Sequence, residues 1–200
     1  KIFQGCSSLD FLKANQVLIP LEKLYRRYTG ESLAVKLSDF ADVSERIQYL
    51  VTQVEEITKI DNFGAYLTAM LEIDAFFMNE DRHTNNIAVI YNEKTQRYSL
   101  SPLFDQGLCI FADTSVDYPL ELSYEACLEK IESKPFSMDF DIQLEAAEEL
   151  YGTQIDFNFN IEDVNAILDS VAGIYSEEIC NRIRELLRYQ IRKYSYLIKK

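Results

Sequence analysis

Two short polar segments carry the side chains that could perform chemistry together. The first is Asp81-Arg82-His83-Thr84-Asn85-Asn86, and the second is Asp105-Gln106-Gly107. Phosphoryl transfer requires one carboxylate to orient a hydroxyl nucleophile, and a separate Asn and Asp to hold the magnesium ions that neutralise a triphosphate. An Asp followed five positions later by an Asn can wrap one short loop around a reacting centre. The spacing therefore predicts a site for phosphoryl transfer.

The elements around these segments would bring them together. Apolar residues between Phe63 and Phe77 recur at helical spacing and predict a helix that runs into the first segment. The sequences IAVIY (87–91) and RYSLSPL (97–103) flank a polar turn and predict a β-hairpin. This hairpin would carry the chain out and back to the second Asp, and Gly107 would then allow a sharp turn.

The sequence IDAFFMNEDRHTNNIAVI followed by SPLFDQG resembles the catalytic loop and metal-binding segment of HipA-like kinases, a bacterial family of serine/threonine kinases with an atypical kinase fold. The resemblance covers residues 61–107. It implies a mainly α-helical (α+β) fold, namely the C-terminal lobe of a protein-kinase-like fold with a small β-hairpin between the catalytic loop and the metal-binding Asp. It also implies that ATP and Mg²⁺ are used and that a protein serine or threonine hydroxyl is the acceptor.

The resemblance implies a role for each residue of the motif. Asp81 would be the catalytic carboxylate, and Asn86 and Asp105 would bind magnesium and thereby the nucleotide. His83 would assist near the transferred phosphoryl group, with a purely structural hydrogen-bonding role as the alternative. Arg82 is predicted to be an ion-pair partner within the lobe and not a phosphate ligand. The expected partners are a protein substrate and, as is common around HipA-like kinases in toxin–antitoxin systems, a regulatory or antitoxin protein.

The sequence is also compatible with two other functions. Phosphatidylinositol kinases carry the same Asp-Arg-His order, although their metal-binding segment usually has Phe where this chain has Gln106. A lipid kinase is therefore one alternative. The other is a pseudokinase or binding scaffold, in which the lobe is retained without turnover.

The sequence contains no glycine-rich phosphate-binding loop, and a kinase also needs a lysine from its N-terminal lobe. Ala34-Val35-Lys36 resembles the setting of that lysine, but it lies between two predicted helices with no strand pair before it. We therefore expect residues 1–200 to form one C-terminal lobe, with 1–16 near the hinge and 108–200 as its helical remainder. The nucleotide-covering lobe would precede Lys1 or come from another polypeptide.

Further helices are predicted outside the motif. Their expected ranges are 18–29 ending at Gly30, 42–58, 120–132, 141–151, 161–175 and 176–198, with a loop near Pro135. In the last helix, the pattern places Ile179, Ile183, Leu186, Ile191 and Tyr194 inward and Arg182, Arg184, Arg188, Arg192 and Lys193 outward.

Composition and charge restrict the environment and the partners. The net charge of −13 disfavours direct nucleic acid binding and an anionic membrane surface. No apolar run is long enough to cross a bilayer. The four cysteines are widely spaced and form no CxxC pair, which favours reduced thiols and a cytoplasmic location. His83 is the single histidine, so a His-rich metal site is excluded.

Overall fold

The computed structural model describes residues 8–199 of the 200-residue chain. The predicted placement of residues 1–16 near a hinge therefore falls in part outside the described residues, as does Cys6. The helices and strands follow one another as β1 (Gln16–Pro20), α1 (Leu21–Thr29), α2 (Leu33–Ser38), α3 (Val43–Thr58), α4 (Phe63–Phe77), β2 (Ala88–Asn92), β3 (Arg97–Leu100), α5 (Tyr124–Lys130), α6 (Phe140–Tyr151), α7 (Ile161–Ser170), α8 (Glu177–Lys193) and a final 3₁₀ turn (Ser195–Leu197).

The described chain is mainly helical with one small antiparallel sheet in the order β1-β2-β3. β2 and β3 form the predicted hairpin, and β1 adds to the other edge of β2, where Ile19 pairs with Val89. The prediction of a helix from residue 18 is wrong at its first turn. Val17 and Ile19 are β-branched residues that suit a strand, and helix α1 begins only after Pro20, whose fixed φ suits the step from strand to helix.

Local signals define the ends of the early helices well. Gly30 ends α1 with a φ of 82°, in the left-handed region that favours glycine. Asp42 begins α3, because its side chain accepts a hydrogen bond from the backbone N–H of Glu45. A short helix that the sequence did not predict, α2, contains Lys36, which forms an ion pair with Asp39 at 3.1 Å. Lys36 therefore lies on a helix and not on a strand.

Helix α4 joins the two hydrophobic clusters of the molecule. Its first half packs with α1, α3, α6 and β2 around residues such as Leu50 and Ile87, and its last turn packs Phe76 against the second cluster with α7 and α8. Because α4 is buried on nearly every side, it also buries carboxylates. Burial raises the pKa of Glu72 to about 7, even though two backbone N–H groups after α6 donate to it.

The C-terminal helices differ from their predicted form in two ways. Helix α7 ends at Ser170, whereas the prediction ran to residue 175, and Ile167 and Ile174 are 66% and 51% exposed. Arg182 of α8 was predicted to face solvent. Instead it donates hydrogen bonds to the carbonyl oxygens of Tyr118, Pro119 and Leu122. These carbonyls lie in a loop, where no helix or strand backbone supplies a hydrogen-bond donor for them.

Within residues 8–199, no helix has the length and apolar character needed to cross a membrane.

Candidate active site

The loop that follows α4 is held by a buried polar network. Helix α4 ends at Met78 in the left-handed conformation. Asp74, in the last turns of the helix, accepts a hydrogen bond from Asn79 Nδ2 at 2.8 Å, and Asn79 Oδ1 accepts one from the backbone N–H of Asp81 at 3.2 Å. Both Asp74 and Asn79 are fully buried. The start of the Asp81 loop is therefore fixed to the helix by side-chain contacts.

Arg82 is the centre of this network and is fully buried. Its Nε and Nη2 donate to the two carboxylate oxygens of Asp74 at 2.7 and 2.9 Å. Burial alone would lower the pKa of Arg82, but the hydrogen bonds and the charge of Asp74 outweigh burial, and this pKa is raised. The guanidinium group is charged, as a bidentate buried ion pair requires. The prediction that Arg82 is an ion-pair partner is confirmed.

The third nitrogen of Arg82 joins the two polar segments that the sequence singled out. Arg82 Nη1 donates to the carbonyl oxygen of Asn86 at 2.8 Å and to that of Phe104 at 3.1 Å. Asn86 is a predicted metal ligand, and Phe104 directly precedes Asp105, the other predicted ligand. One buried guanidinium group therefore holds the backbones of both ligand segments side by side.

Three of the four predicted site residues lie together around the Asp81 carboxylate. Asn86 Nδ2 donates to the Asp81 carbonyl oxygen at 2.9 Å and lies 3.4 Å from Asp81 Oδ2. His83 Nε2 lies 3.7 Å from the same oxygen. The side chain of Asp81 is 30% exposed, so a substrate hydroxyl could reach it. His83 Nδ1 is buried and has no hydrogen-bond partner among the described residues.

Asp105 is placed near these residues through its backbone only. Its exposed carboxylate forms no hydrogen bond or ion pair with Asp81, His83 or Asn86 in the described chain. Asp105 itself has a φ of 57°, in the left-handed region that Asp tolerates better than most residues. Gly107 lies in a turn, as predicted, but its φ is not positive, so this turn does not use the conformational freedom of glycine.

The residues present fit a magnesium ion that is bound partly by a nucleotide. No three His, Cys, Asp or Glu side chains cluster into a metal site within residues 8–199. Magnesium in nucleotide sites commonly takes only one or two protein ligands besides phosphate oxygens and water. Because Asn86 Nδ2 donates to the Asp81 carbonyl, Asn86 Oδ1 is left to act as an oxygen ligand together with the Asp105 carboxylate.

The segment after Asp105 is attached to the Asp81 loop by a second contact. Glu80 lies directly before Asp81, and its carboxylate accepts a hydrogen bond from the buried hydroxyl of Tyr118. The backbone N–H of Glu80 also donates to the Leu108 carbonyl at 3.3 Å. Burial and the contact with Glu80 raise the pKa of Tyr118, so this hydroxyl keeps its proton and acts as the donor.

Sequence reasoning missed two features of the site. Asp74 could have been noticed as a carboxylate within the apolar stripe of α4. Lys134 carried no local signal, although its Nζ lies 3.6 Å from Asp81 Oδ1. Cys109 is buried, and burial raises the pKa of its thiol to about 12, which disfavours the reactive thiolate.

Comparison with solved structures shows which fold the described chain has. The described chain has a kinase-like fold. It is similar to the crystal structure of a Helicobacter pylori proinflammatory kinase, CtkA, with a TM-score of 0.57, and the match covers 92% of this chain and 70% of that chain at 16% sequence identity. No family model and no curated protein matches the sequence. The likeness supports the predicted kinase-like fold and does not single out the HipA-like family.

Proposed function

We propose that this chain is a HipA-like kinase that transfers the γ-phosphoryl group of ATP, with Mg²⁺, to a serine or threonine hydroxyl of a protein substrate. The observation that carries the proposal is the double contact of Arg82 Nη1 with the carbonyls of Asn86 and Phe104. Arg82 is buried and charged, and its remaining nitrogen joins the Asn86 and Asp105 segments. The side chains of these two residues suit a metal ion that is also bound by a nucleotide. The kinase-like fold of the chain supports the same function.

The chemistry follows from the groups at the site. An acceptor hydroxyl would donate its hydrogen bond to the Asp81 carboxylate, which takes the proton as the hydroxyl oxygen bonds to the γ-phosphorus. The bond between that phosphorus and the bridging oxygen breaks, and its electron pair stays on ADP. Mg²⁺ held by Asn86 and Asp105 would neutralise charge on the phosphates. Asn86 also orients Asp81 through its bond to the Asp81 carbonyl.

The test is a transfer assay with the full-length protein, radiolabelled MgATP, a generic protein acceptor and phosphoinositide vesicles. We expect label on protein serine or threonine. Asp105→Asn should lower the transfer rate by about 100-fold or more, because a metal ion that neutralises charge on the phosphates lowers the barrier to transfer by several kcal/mol. Asp61→Asn, an exposed carboxylate before α4, serves as the matched control.

Each other result has a definite meaning. Label on phosphoinositide alone would show a lipid kinase. Nucleotide binding without any transfer would show a scaffold. Equal rates for Asp105→Asn and the wild type would mean that Asp105 does not hold the metal. A regulatory or antitoxin partner stays a prediction from the resemblance.

A further inference from the structure

Lys134 and His83 lie on opposite oxygens of the Asp81 carboxylate. Lys134 Nζ is 3.6 Å from Oδ1, and His83 Nε2 is 3.7 Å from Oδ2. Lys134 comes from the loop between α5 and α6, far from the Asp81 loop in sequence. Its side chain is 51% exposed and that of Asp81 is 30% exposed, so solvent reaches both partners of the contact.

The Lys134–Asp81 contact is too loose to serve mainly as a structural brace. Charge-assisted hydrogen bonds between nitrogen and carboxylate are usually about 2.7–2.9 Å long. The buried Arg82–Asp74 pair meets this standard, whereas Lys134 does not. Exposed ion pairs contribute little to stability, typically about 0–1 kcal/mol. The contact therefore leaves both groups available to a third group placed between them.

The backbone around Lys134 is nevertheless held firmly. Gln143 of α6 is buried, and its Nε2 donates to the Lys134 carbonyl at 3.2 Å. The same side chain accepts from the Phe136 N–H at 3.4 Å, while Arg46 of α3 donates to the Phe136 carbonyl at 2.7 Å. Phe136 itself is fully buried in the first cluster. Two helices thus fix the position from which the flexible lysine side chain extends.

We propose that the Lys134 ammonium group binds a non-bridging oxygen of the phosphoryl group during its transfer, on the side of Asp81 opposite His83. This inference rests on the proposed function. An acceptor hydroxyl bonded to Asp81 lies about 3 Å from the carboxylate, and the phosphorus that it attacks lies about 3 Å further. A lysine that already reaches Asp81 can span that distance. It keeps its proton throughout, and the hydroxyl proton passes to Asp81.

Charge supports this assignment. The chain carries a net charge of −13, and Asp81 places one of its negative charges close to an incoming triphosphate. A cation next to Asp81 offsets that repulsion where negative charge lies on the transferred group. Lys134 meets this need from a rigid loop, which is the arrangement expected of a positioned catalytic side chain.

The first test measures Lys134 directly and does not depend on turnover. The full-length protein is treated with a lysine-acetylating reagent, alone, with MgADP, and with MgADP plus aluminium fluoride as a mimic of the transferring phosphoryl group. Mass spectrometry then gives the acetylation rate of each lysine. We expect the fluoride complex to slow acetylation of Lys134 at least fivefold beyond MgADP alone, and to leave Lys193, paired with Asp141, unchanged. Equal rates for Lys134 in all three samples would overturn the proposal.

The second test uses variants in the transfer assay. We expect Lys134→Met to lower kcat at least tenfold with the KM for ATP within about twofold, and Lys134→Arg to recover part of the loss. Lys193→Met, the same change at another lysine–aspartate pair, should keep the wild-type rate. An unchanged or higher kcat in Lys134→Met would overturn the proposal, and a higher value would show that the pair restrains the site.

The two tests separate this proposal from the proposed function. Transfer without protection of Lys134 would overturn only the role of Lys134. Protection without transfer would overturn the kinase activity but keep Lys134 as a ligand for the phosphoryl mimic. Neither transfer nor protection would overturn both.

Discussion

At the scale of single residues, the site depends on one buried ion pair. Asp74 and Arg82 neutralise each other inside the molecule, and the remaining donor of Arg82 fixes the carbonyls of Asn86 and Phe104. The spacing of Asp81, His83 and Asn86 was readable in the sequence because these residues share one loop. The contact of Lys134 with Asp81 could not be predicted from the sequence, because it depends on how the loop between α5 and α6 packs on α3.

Removing the charge of Arg82 should destabilise the fold. In Arg82→Met, the buried Asp74 loses its partner, and we expect the free energy of unfolding to fall by about 3–5 kcal/mol. Arg26→Met provides the control, because Arg26 is 62% exposed and pairs with Glu22 at 3.0 Å, and its loss should cost about 0–1 kcal/mol. Urea denaturation of both variants measures the difference. Similar losses in the two proteins would show that the buried pair has no special role.

At the scale of elements, the sequence pattern predicted helices better than their ends. The helix predicted over 42–58 is α3, where Ile47, Leu50, Val51 and Val54 recur at helical spacing and are all buried. Strand β1 was missed because its pairing with β2 joins segments that are distant in the chain. Helix α7 ends at Ser170, before the predicted end at residue 175, and Ile167 within it faces solvent.

The contact between α4 and α6 gives a test at this scale. A Cβ atom at Gly64 would lie 2.5 Å from the ring of Tyr151, so Gly64→Ala must displace that ring. We expect a packing cost of about 1–3 kcal/mol, against a gain of up to about 1 kcal/mol in helix propensity, and therefore a net loss of stability. Thermal unfolding of Gly64→Ala and the wild type measures this loss of stability. Gly107→Ala, where a Cβ would meet nothing within 4 Å, should change little, and a more stable Gly64→Ala protein would contradict the packing argument.

At the scale of the whole molecule, the mainly helical architecture and the kinase-like fold agree with what the sequence indicated. The motif residues 81–86 and 105 could be singled out from the sequence because the residue types and spacing that the proposed phosphoryl transfer would need are local. The buried network beneath them could not, since burial results from the packing of the entire lobe around α4.

The most direct test of the central claim compares Asp81→Asn with the wild type in the full-length protein. Phosphoryl transfer from MgATP and the affinity for MgATP are measured on the same samples, with Asp61→Asn as the control. If Asp81 accepts the hydroxyl proton, its loss should lower the transfer rate by about 100-fold or more, with nucleotide affinity within about twofold. A variant that transfers phosphate at the wild-type rate would contradict the account.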